Sequence, residues 1–106
     1  MRFVLMALAE GGEQAATPRA ELDRYDADLV RAGVLLAAEA LEPPTAGVCV
    51  RFEGELRILS RPAVGALNRF WMLETAGEAE ALEWARRLPL TSGTVEVRRV
   101  TGDDGR

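Results

Sequence analysis

The sequence contains no histidine and no lysine, and its single cysteine is Cys49. Without histidine there is no histidine-based catalytic triad and no histidine-ligated metal, and without lysine there is no Schiff base. One cysteine excludes both an intrachain disulfide and a cysteine-rich zinc site. Because no histidine or lysine is present to activate its thiol, we interpret Cys49 as a structural residue. The composition therefore predicts a protein without a metal ion or other cofactor.

Long apolar runs and clusters of basic residues are also absent. No run approaches the roughly 18 residues of a membrane-spanning helix, and residues 1–9 lack the pattern of a signal peptide, so we expect a cytoplasmic protein with no membrane partner. A net charge of −4 and dispersed arginines argue against nucleic-acid binding. The length of 106 residues and 48% hydrophobic content suit one domain. We expect that domain over residues 1–100 and a flexible tail at 101–106.

The spacing of apolar residues predicts six strands and two helices. Thr17 offers an N-cap hydroxyl before Pro18 for the first helix, and Gly77 is the N-cap of the second. Asp26 and Asp28 flank the apolar stripe of the first helix and are interpreted as solvated. In order, the predicted elements are a strand at 2–8, a helix at 18–32, a strand at 34–41, hairpin strands at 48–53 and 56–59 that turn at Gly54, a strand at 69–74, a helix at 78–88 and a strand at 94–100.

This order of elements is a βαβ unit repeated after an inserted hairpin. It is typical of the α+β class, and specifically of a ferredoxin-like split βαβ sandwich. Two helices cover only one face of the sheet, whereas the strands at 2–8 and 34–41 are apolar on both faces. We therefore expect a second copy of the chain to cover the other face, which predicts a homodimer.

The strand at 34–41 carries one ionisable residue, Glu39, within its apolar run. An unpaired carboxylate in a buried strand is costly, and the alternation of side chains sets Glu39 beside the small Ala37, which leaves room for a ligand. Two interpretations follow. Glu39 lines a pocket beneath the loop at 60–68, near an arginine, or it lies near the end of the strand and forms an ion pair with an arginine.

Several segments in a fixed order carry a likeness to known proteins. They are RFVLM at 2–6, Tyr25 with AGVLLAAEAL at 32–41, the pair Phe70-Trp71 and GEAEALEWARRLPL at 77–90. Together they resemble the YCII-related family, and in particular its branch named for an Asp-Gly-Pro-Phe motif. The resemblance covers nearly the whole chain. It implies bacterial origin and a dimeric α/β barrel of ferredoxin-like subunits, with a pocket in each subunit between the sheet and the hairpin loop.

The chain departs from the family pattern at the motif itself. Ser60-Arg61-Pro62-Ala63 stands in place of Asp-Gly-Pro-Phe and keeps only the proline, and Ala38-Glu39-Ala40 stands in place of Gly-Glu-Gly and keeps only the glutamate. The His-Asp dyad proposed for the broader family has no counterpart, because there is no histidine. The matching positions that remain are Tyr25, Glu39, Pro62, Phe70 and Trp71.

Two classes of function are compatible with this pattern. The first is a cofactor-independent proton-transfer enzyme (an isomerase, lyase or cyclase) of bacterial secondary or degradative metabolism, with Glu39 as general acid or base and Tyr25 as a hydrogen-bond donor. The second is a non-catalytic binding or regulatory dimer linked to an alternative sigma factor, as the resemblance implies for some relatives. The replacement of the motif acid by Ser60 favours this second class.

Both classes need residues that hold a small molecule. Arginine suits an anionic group, and tryptophan suits an apolar one. The purely structural alternative is that the arginines are solvated or form salt bridges, and that Trp71 and Trp84 are ordinary core or interface residues. The ligand-binding candidates are Arg61, Arg69, Arg51, Ser60 and Trp71.

Overall fold

The computed structural model describes residues 1–8 and 17–102, so the predictions for the loop at 10–16 and for the last four residues of the tail lie outside the described residues. The described part contains the six strands and two α-helices that the sequence predicts. In chain order they are β1 (Arg2–Leu8), α1 (Arg19–Arg31), β2 (Leu35–Ala40), β3 (Cys49–Glu53), β4 (Leu56–Ser60), β5 (Leu67–Glu74), α2 (Glu78–Arg86) and β6 (Thr94–Arg99).

Four of the strands form one sheet in the order β2-β5-β1-β6, and every neighbouring pair is antiparallel. Helix α1 carries the chain from β1 past one strand position to β2, and β5 later fills the gap between them. This arrangement is consistent with a ferredoxin-like α+β fold. Strands β3 and β4 form a separate two-stranded sheet, which is the predicted hairpin.

The core lies between one face of the four-stranded sheet and both helices. Burial alternates along β1, where Leu5 is fully buried and its neighbours Val4 and Met6 are only half-buried. Because facing residues of paired strands share a face, the sheet directs one set of side chains to the helices. The buried cluster joins Leu5, Ala7, Trp71 and Leu73 of the sheet to Tyr25 and Leu29 of α1 and to Trp84 of α2.

Neither of the two described helices covers the other face of the sheet. Val4 faces Met72 and Met6 faces Phe70 across the β1–β5 ladder, so these side chains form one apolar patch. In a single copy of the chain all of them are half-buried. We call Val4, Met6, Phe70 and Met72 the open face.

The helix starts correct one local expectation. Pro18, with extended backbone, occupies the N-cap position of α1 and no side chain caps the helix, so the prediction of a Thr17 cap is wrong. The carbonyl of Pro18 instead accepts from the N–H groups of Glu21 and Leu22, at 3.0 and 3.3 Å. Gly77 is the N-cap of α2, as predicted. Neither helix, within residues 1–8 and 17–102, has the length and apolar character needed to cross a bilayer.

Candidate functional site

Glu39 lies on an edge strand, which decides its surroundings. Among the described strands, β2 is hydrogen-bonded only to β5, and its register shifts between Leu35 and Ala37. Glu39 then faces Phe70, so it belongs to the same side of the sheet as the open face, and it is exposed. In a single copy of the chain the expectation of a buried carboxylate is wrong, because no described element covers that side of the edge strand. No described residue forms an ion pair with Glu39.

A cavity of about 530 Å³ lies between the first turns of α1 and the edge strand β2. We call it the α1–β2 cavity. Its walls carry charges of both signs, and the small side chains of Ala38 and Ala40 leave its sheet side open. The charged residues that line it are Arg19, Asp23 and Asp26 on the helix side and Glu39 and Arg69 on the sheet side.

Trp71, at the core side of the cavity, interacts with two of these charged residues, Asp26 and Arg69. Its indole Nε1–H donates a hydrogen bond of 2.7 Å to Asp26 Oδ1, and the guanidinium carbon of Arg69 lies 5.7 Å from the centre of a Trp71 ring. Trp71 itself is fully buried, so it acts as a core residue that orients both groups. The interpretation of Asp26 as solvated is wrong: it is half-buried and bonded. A buried indole N–H needs a hydrogen-bond acceptor, so a buried tryptophan in the sequence indicates that an acceptor lies nearby. The sequence does not identify Asp26 as that acceptor.

Tyr25 lies in the core rather than at the cavity. Its hydroxyl donates to the backbone carbonyl of Trp84 at 2.7 Å, and its ring meets the rings of Trp71 and Trp84 edge-on at 5.7 and 6.2 Å. Burial, reinforced by the charge of Asp26 and opposed by that of Arg87, raises the pKa of the Tyr25 phenol above its ordinary value. The phenol therefore stays protonated near neutral pH and does not exchange protons there.

Tyr25→Phe is expected to lower the free energy of unfolding by about 1 kcal/mol, because it removes one buried hydrogen bond. Since the phenol has a higher pKa in the folded than in the unfolded chain, its stabilising contribution is complete below about pH 10 and falls as the pH rises further. The variant should therefore lose less stability than the wild type above that pH. Urea unfolding at pH 7 and at alkaline pH measures both effects. A fully stable variant would contradict the structural role.

The remaining candidate residues lie away from the α1–β2 cavity. Arg51 pairs with Glu53 on the hairpin at 3.1 Å, and Ser60 and Arg61 are exposed where the hairpin ends. A second, mostly apolar hollow of about 320 Å³ does lie beside the loop at 60–68, lined by Leu41, the two prolines that follow it, Ala63 and Leu67. Glu39 does not line this hollow. Glu39 and Arg69 thus border the same cavity from opposite faces of the sheet, and Arg51, Ser60 and Arg61 lie apart from it.

The described residues offer no metal centre. Within 1–8 and 17–102, no three histidine, cysteine, aspartate or glutamate side chains are grouped in a way that would hold a metal ion. The free thiol of Cys49 lies on the hairpin, half-buried. The chemistry that the α1–β2 cavity provides is therefore that of carboxylates and guanidinium groups: hydrogen bonding, charge pairing and proton transfer.

The four-stranded antiparallel sheet, the two helices on one of its faces and the inserted hairpin define an α+β domain with ferredoxin-like strand order. A family model of the YCII-related domain matches residues 1–102, and the chain belongs to that family. The resemblance drawn from the sequence is confirmed at this level, while membership of the Asp-Gly-Pro-Phe branch stays a prediction. No curated protein shows a significant match to the chain.

Proposed function

We propose that this YCII-related protein is a homodimer that binds a small polar molecule in the α1–β2 cavity, with one site in each copy. One observation carries the proposal: two residues of opposite charge, Asp26 and Arg69, both interact with Trp71. The volume of about 530 Å³ is within the range of small-molecule pockets.

The charges around the cavity indicate the class of ligand. Arg69 offers the planar donors that suit a carboxylate or a phosphate. Asp23 and Asp26 offer acceptors for hydroxyl, amino or ammonium groups. Arg19 lies 3.9 Å from Asp23, so part of this charge is already balanced within the chain. A small molecule that carries one anionic group and one or more hydrogen-bond donors complements this set.

A proton-transfer enzyme is the second candidate, and the position of Glu39 favours it. Glu39 borders the α1–β2 cavity at the edge strand β2, with its side chain on the face of the sheet opposite Arg69. A ligand that extends around this edge would bring a proton to the Glu39 carboxylate. A second copy over the open face would also remove water from that side of β2. A purely binding or regulatory dimer uses the same cavity and shows no turnover.

The homodimer is supported by the open face. An apolar patch on a central sheet that neither described helix covers is typical of an interface between subunits. Light scattering should give twice the mass of 11.5 kDa expected for one chain.

Arg69→Ala is expected to weaken binding of a small carboxylate or phosphate roughly tenfold to hundredfold, the effect of losing a charge-assisted hydrogen bond. Calorimetric titration with a panel of small carboxylates, phosphates and amino acids provides the measurement. Arg51→Ala removes the same charge from the hairpin, outside the cavity, and is the matched control.

Glu39→Gln separates the two candidate functions. As an exposed residue it should change stability by less than about 0.5 kcal/mol. An enzyme would keep its ligand affinity within a few fold and lose turnover, because the amide cannot accept the proton. Equal binding by the wild type, Arg69→Ala and Arg51→Ala would contradict the proposed site.

A further inference from the structure

The hairpin of β3 and β4 projects from the domain as an arm. Its two strands pair only with each other, and they pack extensively on no other helix or strand of the described part. The chain leaves the main sheet where the N–H of Leu41 donates to the carbonyl of Asn68 at 2.8 Å, at the end of the β2–β5 ladder. The arm thus follows in the chain from the end of the β2–β5 edge of the main sheet.

The two faces of the arm differ in character. Val50 faces Leu59 and Phe52 faces Arg57 across the ladder, so these side chains share one face. The opposite face carries Arg51 and Glu53, which are paired at 3.1 Å, together with Ile58 and Leu56. We call Val50, Phe52 and Leu59 the arm face.

The arm face is apolar and uncovered. Phe52 is 67% exposed, Leu59 66% and Val50 47%. A two-stranded hairpin is at best marginally stable alone in water, and adjacent exposed apolar side chains favour association. Arg57 stacks on Phe52, with its guanidinium carbon 4.5 Å from the ring centre. This contact covers part of the Phe52 side chain and leaves Val50 and Leu59 uncovered.

We propose that the arm face packs against a second copy of this chain, beside the open face, so that each subunit clasps the other with its arm. The inference rests on the proposed homodimer and extends it, because it assigns to the hairpin a role in the interface. In a two-fold dimer the contact is reciprocal, and both arms are covered at once.

The area available favours a second copy as the occupant. A stable interface buries roughly 800 Å² on each partner. The side chains of the open face are already half-buried in one chain, so they leave only part of that area. The arm face adds three largely exposed apolar side chains.

Continuity of the chain points to the same occupant. Residues 61–66 join the arm to β5, which supplies Phe70 and Met72 to the open face. A copy docked on the open face is therefore brought next to the base of the arm. The charges also match, because Arg57 places a cation on the arm face and Glu39 places an anion on the open-face side of β2.

The test compares Leu59→Asp with Leu56→Asp by sedimentation over a range of protein concentrations. Leu59 and Leu56 are similarly exposed, at 66% and 62%, but they lie on opposite faces of the same strand. Leu59→Asp is expected to raise the dimer Kd at least tenfold, whereas Leu56→Asp should change it by less than about twofold. Circular dichroism confirms that both variants are folded.

A labelling measurement gives the same answer without a charge change. In the double variant Cys49→Ser with Phe52→Cys, the thiol at position 52 should react with a maleimide more slowly above the dimer Kd than below it. Equal rates at both concentrations would contradict packing of the arm on a partner.

The outcomes keep the two proposals apart. A wild-type chain that is monomeric at every concentration overturns both the dimer and the arm contact. A dimer that Val4→Arg dissociates and Leu59→Asp leaves intact overturns the arm contact alone. Equal weakening by Leu59→Asp and Leu56→Asp also overturns it, because the effect would then not belong to the arm face.

Discussion

Val4→Arg is expected to convert the proposed homodimer to a monomer at micromolar concentration. Val4 lies on the open face of the central strand β1, between Met72 of β5 and Arg98 of β6. A second copy packed on this face would bury the new guanidinium, and an unpaired charge in a dry interface is costly. The dimer Kd should rise at least a hundredfold, which light scattering at several concentrations measures.

Val4 is a sharper choice than Met6 for this experiment. Met6 faces Glu96 across the β1–β6 ladder, so an arginine at position 6 would find a carboxylate partner, whereas an arginine at position 4 would meet the like charge of Arg98. Val64→Arg is the matched control, because Val64 is 87% exposed in a loop. A Val4→Arg dimer as tight as the wild type would show that the open face is not the interface.

Trp71→Ala is expected to lower the free energy of unfolding by about 3–5 kcal/mol, the range for removing a buried aromatic side chain. Trp71 is fully buried, supports the ring of Tyr25 and donates the 2.7 Å hydrogen bond to Asp26. A domain of this size is typically stable by only about 5–15 kcal/mol, so the loss should be visible as a large fall in the urea midpoint. Because dissociation of the proposed homodimer would contribute to the free energy of unfolding, the comparison is made at one protein concentration.

Two further variants locate the origin of that loss. Trp71→Phe keeps most of the ring but leaves Asp26 without its donor, so it should cost less than the alanine variant and still weaken ligand binding at the α1–β2 cavity. Leu82→Ala, at an exposed position of α2, should change stability only slightly. A loss below about 1 kcal/mol for Trp71→Ala would contradict the central place of this residue in the core.

Local signals explain why the secondary structure was largely predictable. Helix α2 begins after Gly77, and the carboxylate of Glu80 accepts from the N–H of Ala76 at 2.9 Å, a contact between near neighbours. The hairpin turns at Gly54, whose φ of 58° suits glycine. The Thr17 cap failed because Thr17 and Pro18 are both plausible first residues, and the chain places the cap one residue later than expected.

The candidate site was less predictable, because it depends on contacts between distant parts of the chain. The alternation of side chains along a strand predicts which residues of β2 share a face. It does not predict that β2 is an edge strand or that its register shifts before Ala37. Glu39 is exposed for these two reasons. The sequence marks Arg69 as a candidate ligand-binding residue, whereas it does not mark Asp26, which lines the same cavity.

The sequence by itself determined the class of this protein: the number and order of its elements, the α+β architecture, the resemblance to the YCII-related family, and the exclusion of histidine and lysine chemistry. These properties follow from residue types and from the periodicity of apolar residues, and each segment contains that information within its own few residues. Only the tertiary structure decided that Tyr25 is a core residue, that Glu39 faces water and that Asp26 meets Trp71, 45 positions away. Such pairings are set by which strand lies next to which and by how the helices pack on the sheet, and no local pattern encodes that geometry.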